Sequence, residues 1–236
     1  MTFGGSAIRK VYALLALVLL SSFGTLYAQS PGSEWSEKME RSGLVDIKTL
    51  IPDIVVSLMY SSVDNFMGED VYGDLETAYV EPSFGARLKR AQELLHREKG
   101  ARYSIIIYDA ARPLSIQKRM WQVVKNTPNR KYVAPPSNGG GRHNYGLAAD
   151  LSIIDTRNGK ALDMGSPVDH FGVRAHIGDE DNLVKKRLIS PEARANRAYL
   201  FSLMKRVGLR PIRKEWWHFQ EYTSIQSVRK HTFLNF

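Results

Sequence analysis

The 236-residue chain contains no cysteine, and this absence limits what it can fold into more than any other feature of the sequence. Since disulfide bonds cannot hold the fold together, stability has to come from a hydrophobic core. A chain of this length with 43% hydrophobic residues can bury one. Thiol catalysis and cysteine-ligated zinc are also excluded. Any metal site therefore has to use histidine and carboxylate side chains.

The first 28 residues differ in character from the rest of the chain. Arg9 and Lys10 precede an apolar run from Val11 to Leu20, and small or polar residues follow up to Ala28. This order is typical of a secretory signal peptide, and the apolar run is short for a hydrocarbon layer of roughly 30 Å. We expect cleavage after Ala28, export to the periplasm or the extracellular space, and no stable membrane insertion after cleavage. An uncleaved anchor is the alternative.

Basic residues outnumber acidic ones, with 33 Lys and Arg against 24 Asp and Glu and a formal net charge of +9. Such a balance can favour anionic partners. The charges are interleaved, however, as in the segment LKRAQELLHREKG, which indicates solvated helix faces. We therefore predict no nucleic-acid partner.

No repeat and no low-complexity linker follows the N-terminal segment, so we predict a tether over residues 29–40 and a single domain over residues 41–236. Apolar and β-branched runs predict strands in DIVVSLMYSS, YSIIIYDAARP, LAADLSII and KEWWHFQEY. Helical spacing predicts helices in SFGARLKRAQELLHREKG, SIQKRMWQVVKN and SPEARANRAYLFSLMKRVGL, the first capped by Ser83 and the last by Ser190. This mixture favours an α+β fold with an antiparallel sheet flanked by helices.

The segment GGGRHNYGLAAD places His143 seven residues before Asp150. Residues seven apart on a continuous strand point to opposite faces, so the two side chains can share a ligand only if the chain bends between them. The sequence Asn144-Tyr145-Gly146 predicts such a bend. The three glycines are not a phosphate loop, since no Lys-Ser/Thr pair follows them. An exposed loop histidine and a capping or ion-paired aspartate are the alternative interpretation.

The segment EWWH supplies Glu215 and His218. A catalytic zinc site keeps three protein ligands and one open position for water, and a nearby carboxylate can take a proton from that water. His143, Asp150 and His218 form a candidate ligand set of this kind, with Glu215 as the base. The alternative is a surface glutamate beside two core tryptophans.

The motifs RHNYGLAAD, EWWH and YDAARP together resemble those of the VanX-type D-alanyl-D-alanine dipeptidases, zinc peptidases related in fold to other D,D-peptidases of peptidoglycan and to hedgehog-like domains. The segments LMYSSVDNFMGEDVYG, LDMGSPVDHF and NRAYLFSLMKRVGL extend the resemblance over almost the whole chain after the N-terminal segment. The resemblance implies one Zn²⁺ per chain on the three ligands named above. It also implies that Glu215 is the general base and passes its proton to the leaving amine.

The resemblance assigns further residues to the substrate. Arg112 would hold the scissile carbonyl oxygen, Asp169 would pair with the free amino terminus, and Tyr60 would lie near that end. Asp109 is expected to orient Arg112, with a strand-end cap as the alternative. The chain departs from the family pattern at Gly141, where members often carry a serine that helps to hold the substrate.

The resemblance leads us to expect zinc-dependent hydrolysis of D-Ala-D-Ala or a similar short dipeptide in cell-wall peptide turnover. One alternative is a D,D-carboxypeptidase acting on peptidoglycan stem peptides, which Asp169 disfavours because the acid would lose its ammonium partner. The other is a zinc-containing binding protein without activity, which Glu215 and Arg112 disfavour because both serve chemistry.

Overall fold

The computed structural model describes residues 31–236, and the predicted signal peptide lies outside this range. The predicted tether differs from the structure from residue 31 onward, because Pro31–Arg41 forms helix α1 and this helix packs on the domain. Met39 is fully buried, and the Trp35 ring stacks on that of Phe236 at 6.3 Å between centroids. The burial of these apolar side chains holds the helix in place.

The chain alternates short strands with helices. The helices are α1 and, after it, α2 (Ile47–Leu50), α3 (Pro82–Lys99), α4 (Leu114–Val124), α5 (Glu180–Lys185), α6 (Pro191–Arg206) and α7 (Ile225–Val228). The strands are β1 (Val45–Asp46), β2 (Val55–Val56), β3 (Tyr79–Val80), β4 (Tyr103–Asp109), β5 (Ala148–Asp155), β6 (Lys160–Ala161), β7 (Leu209–Ile212) and β8 (Glu215–Glu221). This arrangement confirms the α+β prediction.

The main sheet has the order β2-β4-β5-β8-β7, with β6 paired to β5 at one end. The pairs β4/β5, β5/β6, β5/β8 and β7/β8 are antiparallel, as expected. The pair β2/β4 is parallel, which corrects the prediction at this edge. A parallel pair needs a crossover connection, and α3 lies within the connection from β2 to β4. The segment predicted as one strand over residues 53–62 is a strand only in β2, and a 3-10 turn follows at Met59–Ser61.

One face of the sheet carries the main core. The predicted alternation in β5 is present, since the side chains of Leu147, Ala149, Leu151 and Ile153 belong to this core. Helices α3 and α6 cover the same face with apolar side chains, namely Phe84, Leu88, Ala91, Leu95, Leu200, Leu203 and Met204. The opposite face of β5 is left for Asp150.

The helix ends follow capping rules, with one difference from expectation. The Ser190 hydroxyl accepts a hydrogen bond from the Ala193 amide at 2.9 Å, as predicted for the start of α6. Helix α3 instead begins after Glu81, whose carboxylate accepts from the amides of Ser83 and Phe84. Glu81 takes this role because Pro82 is preorganised for the first helical position, so the predicted Ser83 cap is wrong.

A second apolar cluster lies between α1, α4 and the loops that precede α3, and it includes Met39, Tyr60, Tyr72 and Met120. It supports the cavity described below. Within residues 31–236, none of the helices combines the length and the apolar character that a membrane span requires.

Candidate active site and metal centre

The loop that carries His143 bends as the sequence predicted. Residues Arg142–Tyr145 form a 3-10 turn, and Gly146 ends it in the left-handed region with φ of 67°. The His143 carbonyl accepts hydrogen bonds from the amides of Arg112 at 2.9 Å and Gly146 at 3.1 Å. These bonds fix the loop against the end of β4 and turn the His143 side chain towards the face that carries Asp150.

Strand pairing brings the other side chains to the same place. Asp150 of β5 pairs directly with His218 of β8 in the antiparallel ladder. On the other side of β5, the register shifts between Ile107 and Asp109, so that Asp109 pairs with Asp150 as well. A bulge of this kind changes the face on which the following side chains lie. Three neighbouring segments therefore contribute polar groups to one buried point.

Three potential metal ligands converge there. The Nε2 atom of His143 lies 3.1 Å from Nδ1 of His218 and 3.5 Å from Oδ1 of Asp150, and the remaining pair, His218 Nδ1 and Asp150 Oδ1, is 3.2 Å apart. All three residues are buried. The predicted ligand set is thus brought together from residues up to 75 positions apart in the chain.

The other nitrogen of each imidazole has its own acceptor. Nδ1 of His143 donates to the Ala110 carbonyl at 2.7 Å, and Nε2 of His218 donates to Oε1 of Gln220 at 3.1 Å. In the neutral imidazoles these bonds leave Nε2 of His143 and Nδ1 of His218 as lone pairs. Two lone pairs and a carboxylate then face one another, an arrangement that a cation satisfies.

Asp150 carries the negative charge of this group. Burial favours its protonated form, but positive charge and hydrogen-bond donation from His143 and His218, when these imidazoles are protonated, hold the pKa of the Asp150 carboxyl below its ordinary value. The Nη2 atom of Arg112 also lies 3.6 Å from Oδ2 of Asp150. The carboxylate therefore stays ionised and available as a ligand.

Glu215 stands at the start of β8, three residues before His218. Its Oε2 atom lies 4.0 Å from Nδ1 of His218, and its side chain is 13% exposed. Burial, together with the negative charges of Asp150 and Asp169, raises the pKa of Glu215 to about 8. A carboxyl group with such a pKa can both accept and donate a proton near neutral pH.

Arg112 is held rigidly at the end of the strand β4. Its Nε donates to Oδ2 of Asp109 at 2.8 Å, and its Nη1 donates to Oε1 of Gln117 at 2.9 Å. The Tyr72 hydroxyl donates to the other oxygen of Asp109 at 3.0 Å. Burial opposes the charged form, but Asp109 keeps the pKa of Arg112 well above its usual value. The structure therefore shows Asp109 orienting Arg112.

Asp169 and Tyr60 are in direct contact, although 109 residues separate them. The Tyr60 hydroxyl donates a short hydrogen bond to Oδ2 of Asp169. Asp169 has a φ of 58°, an uncommon conformation for a residue with a side chain. Burial and the charge of Asp150 raise the pKa of Asp169 to about 7. An added cation beside this carboxyl would relieve the cost of burying its charge.

The seven side chains chosen from the sequence all line one cavity of about 220 Å³, namely Tyr60, Arg112, His143, Asp150, Asp169, Glu215 and His218. The cavity is below the range of roughly 300–1,000 Å³ that is common for ligand pockets, so it suits a small ligand. Gly141 lies in the same lining.

Several residues of this cavity could not be identified from the sequence. Phe66, Tyr132 and Phe171 form an aromatic wall, in which Tyr132 stacks on Phe171 at 4.9 Å and Phe66 contacts it at 5.0 Å. No local pattern marks them, because they come from three separate connections, and Tyr132 ends a short 3-10 helix in one of them. Gln220 could have been found, since a residue two positions after His218 on a strand shares its face.

Comparison with known proteins agrees with this geometry. The peptidase M15 family model, described as D-ala-D-ala dipeptidase, matches residues 40–236. A D-alanyl-D-alanine dipeptidase of Escherichia coli K12 is 30% identical over 177 residues, which cover 75% of this chain and 83% of that protein. A protein of the same name from Enterococcus faecalis V583 is 25% identical over 213 residues, or 83% of this chain and 98% of the relative.

A third relative with that name, from Enterococcus faecium, is 25% identical over 179 residues, or 68% of this chain and 82% of its own length. The family match spans all the elements that build the cavity, from Tyr60 to His218. The chain therefore belongs to the D-ala-D-ala dipeptidase family of peptidases.

Proposed function

We propose that the protein is an exported zinc dipeptidase that hydrolyses D-Ala-D-Ala or a similar short dipeptide in cell-wall peptide turnover. The observation that carries this proposal is the convergence of His143 Nε2, Asp150 Oδ1 and His218 Nδ1 at 3.1–3.5 Å, with Glu215 beside them. The names of the relatives supply the substrate, and the N-terminal sequence supplies the export.

His143, Asp150 and His218 would hold the metal, and their chemistry fits zinc. Ligand atoms at 2.0–2.1 Å from a tetrahedral zinc ion lie about 3.3 Å from one another, close to the separations in this triangle. Two imidazoles and one carboxylate leave a fourth position for water or substrate. When bound, the ion supplies Lewis acidity, which lowers the pKa of a coordinated water and polarises a carbonyl group.

Glu215 transfers a proton from the attacking water to the leaving amine. As the oxygen of the attacking water adds to the scissile carbonyl carbon, the carboxylate of Glu215 takes a proton from it. When the carbon–nitrogen bond breaks, the same group delivers that proton to the leaving amine.

Arg112 stabilises the negative charge that develops on the carbonyl oxygen. Asp109 and Gln117 hold its guanidinium in place before substrate arrives, and donors fixed in this way are worth several kcal/mol in the transition state. Asp169, supported by Tyr60, pairs with the free ammonium group of the dipeptide.

The small cavity and Asp169 favour a dipeptidase over a carboxypeptidase on stem peptides. A stem peptide carries an acylated nitrogen where the dipeptide has its ammonium, so it would leave the Asp169 charge buried without a partner. A binding protein without activity has no need of a buried Glu215 or of the Arg112–Asp109 pair.

The proposal is tested by incubating the metal-analysed protein, from residue 29 onward, with D-Ala-D-Ala, L-Ala-L-Ala and N-acetyl-D-Ala-D-Ala. We expect zinc-dependent release of D-alanine from the free D,D-dipeptide, and little release from the other two. Comparable cleavage of the acetylated peptide would favour the carboxypeptidase. One bound zinc without hydrolysis of any of the three would favour the binding protein.

A further inference from the structure

The cavity contains a second arginine that the proposed chemistry does not use. Among its lining residues, Arg112 and Arg142 are the side chains with a permanent positive charge. A dipeptide with two free ends carries a carboxylate as well as an ammonium group. Asp169 pairs with the ammonium group in the proposed complex, so the carboxylate requires a cation or hydrogen-bond donors elsewhere in the cavity.

The Arg112 guanidinium already interacts with other residues of the cavity. Its guanidinium is bound by Asp109 and Gln117 and lies 3.6 Å from Asp150. Gly141 also lines the cavity but has no side-chain donor, and its amide already donates to Oδ1 of Asn144 at 2.8 Å. The N–H groups that remain on Arg112 serve the scissile carbonyl oxygen in the proposed mechanism, and the amide of Gly141 is occupied, so neither residue is available to the carboxylate.

Arg142 has hydrogen-bond donors that are not used within the described residues. Its Nη2 donates to the Thr223 carbonyl at 2.6 Å, which anchors the guanidinium. Its Nε is buried and has no hydrogen-bond partner within residues 31–236. A buried N–H group without a partner costs roughly 1–3 kcal/mol, a cost that is removed if the guanidinium turns towards a bound carboxylate oxygen.

The residues that hold Asp169 and Arg142 follow different strands of the sheet. Tyr60, the partner of Asp169, follows β2 at one edge of the sheet. Thr223, the partner of Arg142, follows β8, which is next to the strand at the other edge. Strand β5, which carries Asp150, lies between β2 and β8 in the sheet. A dipeptide with its ammonium at Asp169 and its peptide bond at the centre would direct its carboxylate towards Arg142.

We propose that Arg142 binds the carboxylate of the dipeptide and so makes a free carboxyl end, one residue beyond the scissile bond, a requirement for hydrolysis. This inference rests on the proposed dipeptidase function and adds the specificity for the second end of the substrate. Arg142 acts on substrate binding, so its removal raises KM more than it lowers kcat.

The test compares D-Ala-D-Ala with its C-terminal amide, which keeps the ammonium group and the scissile bond. We expect kcat/KM of the unaltered protein to be about 100-fold higher for the acid than for the amide, as for a buried charged pair whose partner is removed. In Arg142→Gln, kcat/KM for the acid should fall about 50-fold, mostly through KM, while the value for the amide changes less than about 3-fold. Arg142→Lys should keep part of the preference.

Arg210→Gln is the matched control. Arg210 lies on β7 and its charge acts on Arg142. Its guanidinium stacks on the Tyr222 ring at 4.2 Å, and it is not part of the cavity lining. The control should keep the preference for the acid. Zinc content and thermal unfolding are measured for every variant, so that a folding defect is recognised.

Two results would overturn the proposal. One is equal hydrolysis of the acid and the amide by the unaltered protein, which needs no variant. The other is a loss in Arg142→Gln that is the same for both substrates. Calorimetry with zinc-loaded Glu215→Gln protein measures the affinity for the acid and for the amide. Because this variant should not hydrolyse the substrate, the measurement tests carboxylate binding independently of catalysis. Equal affinity for acid and amide, or no affinity for either, would refute the role of Arg142 even if hydrolysis itself fails.

Discussion

His218 and Gln220 lie two residues apart on β8, and Nε2 of His218 donates a hydrogen bond to Oε1 of Gln220 at 3.1 Å. This bond fixes the imidazole tautomer and leaves Nδ1 facing His143 and Asp150. Partners of metal-bound histidines commonly account for 10- to 100-fold in metal affinity. Gln220 is therefore part of the proposed metal centre, as the partner that orients His218.

Replacing Gln220 by Leu should weaken zinc binding by about 10- to 100-fold, because the Nε2–H group of His218 would lose its acceptor and the wrong tautomer could form. Competition with a fluorescent chelator measures the affinity. Gln220→Glu keeps an acceptor oxygen at the same place and should retain binding. An unchanged affinity in Gln220→Leu would show that the hydrogen bond does not tune the site.

Removing any one ligand should abolish tight metal binding. His143→Ala, Asp150→Asn and His218→Ala should each lose stoichiometric zinc, and the zinc-dependent rise in thermal unfolding temperature should disappear with it. At a free zinc concentration of 100 times Kd, the bound ion stabilises the fold by about 2.7 kcal/mol. His96→Ala, on α3 and hydrogen-bonded to Gln92, is the control and should keep the full zinc effect.

Replacing Glu215 by Gln should leave zinc bound and lower kcat by roughly 10²- to 10⁴-fold, the usual contribution of a general base. Metal analysis and dipeptide hydrolysis are measured on the same sample. The amide side chain has nearly the same shape, so the cavity should stay intact. Normal hydrolysis by this variant would exclude Glu215 as the proton carrier.

The metal-free protein should lose stability as pH rises from about 4 to 7 through Asp169. The pKa of this carboxyl is about 7 in the folded chain, against 3.8 ordinarily. Between these values the folded state holds the proton and the unfolded state has released it, so the free energy of unfolding falls by up to about 1.4 kcal/mol per pH unit. Below and above this pH interval Asp169 has the same protonation in the folded and the unfolded state, so its contribution to the free energy of unfolding no longer changes with pH.

Urea unfolding measures this contribution. The unaltered protein and Asp169→Asn are compared without metal at four pH values between about 4.5 and 7.5. The difference in stability between the two proteins should shrink or change sign in favour of the variant as pH rises. Tyr60→Phe removes the hydrogen bond that lowers the Asp169 pKa, so it should extend the sloping interval to higher pH. Parallel profiles for all three proteins would contradict the assignment.

Gly146→Ala should destabilise the protein by roughly 3 kcal/mol and weaken metal binding. Gly146 has a φ of 67°, and a Cβ atom there would lie 2.8 Å from the Glu81 amide nitrogen. Relief of that contact would move the turn that carries His143. Gly159→Ala is the matched control, since its φ is 69° with open space around it, and its cost should be only about 1 kcal/mol. Equal losses in the two variants would mean that the close approach at Gly146 is unimportant.

Local patterns in the sequence were enough to find most elements and the chemical groups of the site. The alternation in LAADLSII identified β5 and the face of Asp150, and the turn residues Asn144 to Gly146 indicated the bend after His143. These inferences work because strand periodicity and the left-handed preference of glycine act over a few residues. Ser190 and Pro191 marked the start of α6 for the same reason.

Contacts between distant segments were decided only by the tertiary structure. The sequence does not contain the parallel pairing of β2 with β4, the bulge that aligns Asp109 with Asp150, or the docking of α1. It also does not show that Tyr60 reaches Asp169 across 109 positions, or that the Nε of Arg142 is buried without a hydrogen-bond partner in the part of the chain that the structure describes. Register, burial and pKa depend on which strands become neighbours, and that choice belongs to the packing of the whole core rather than to any local pattern.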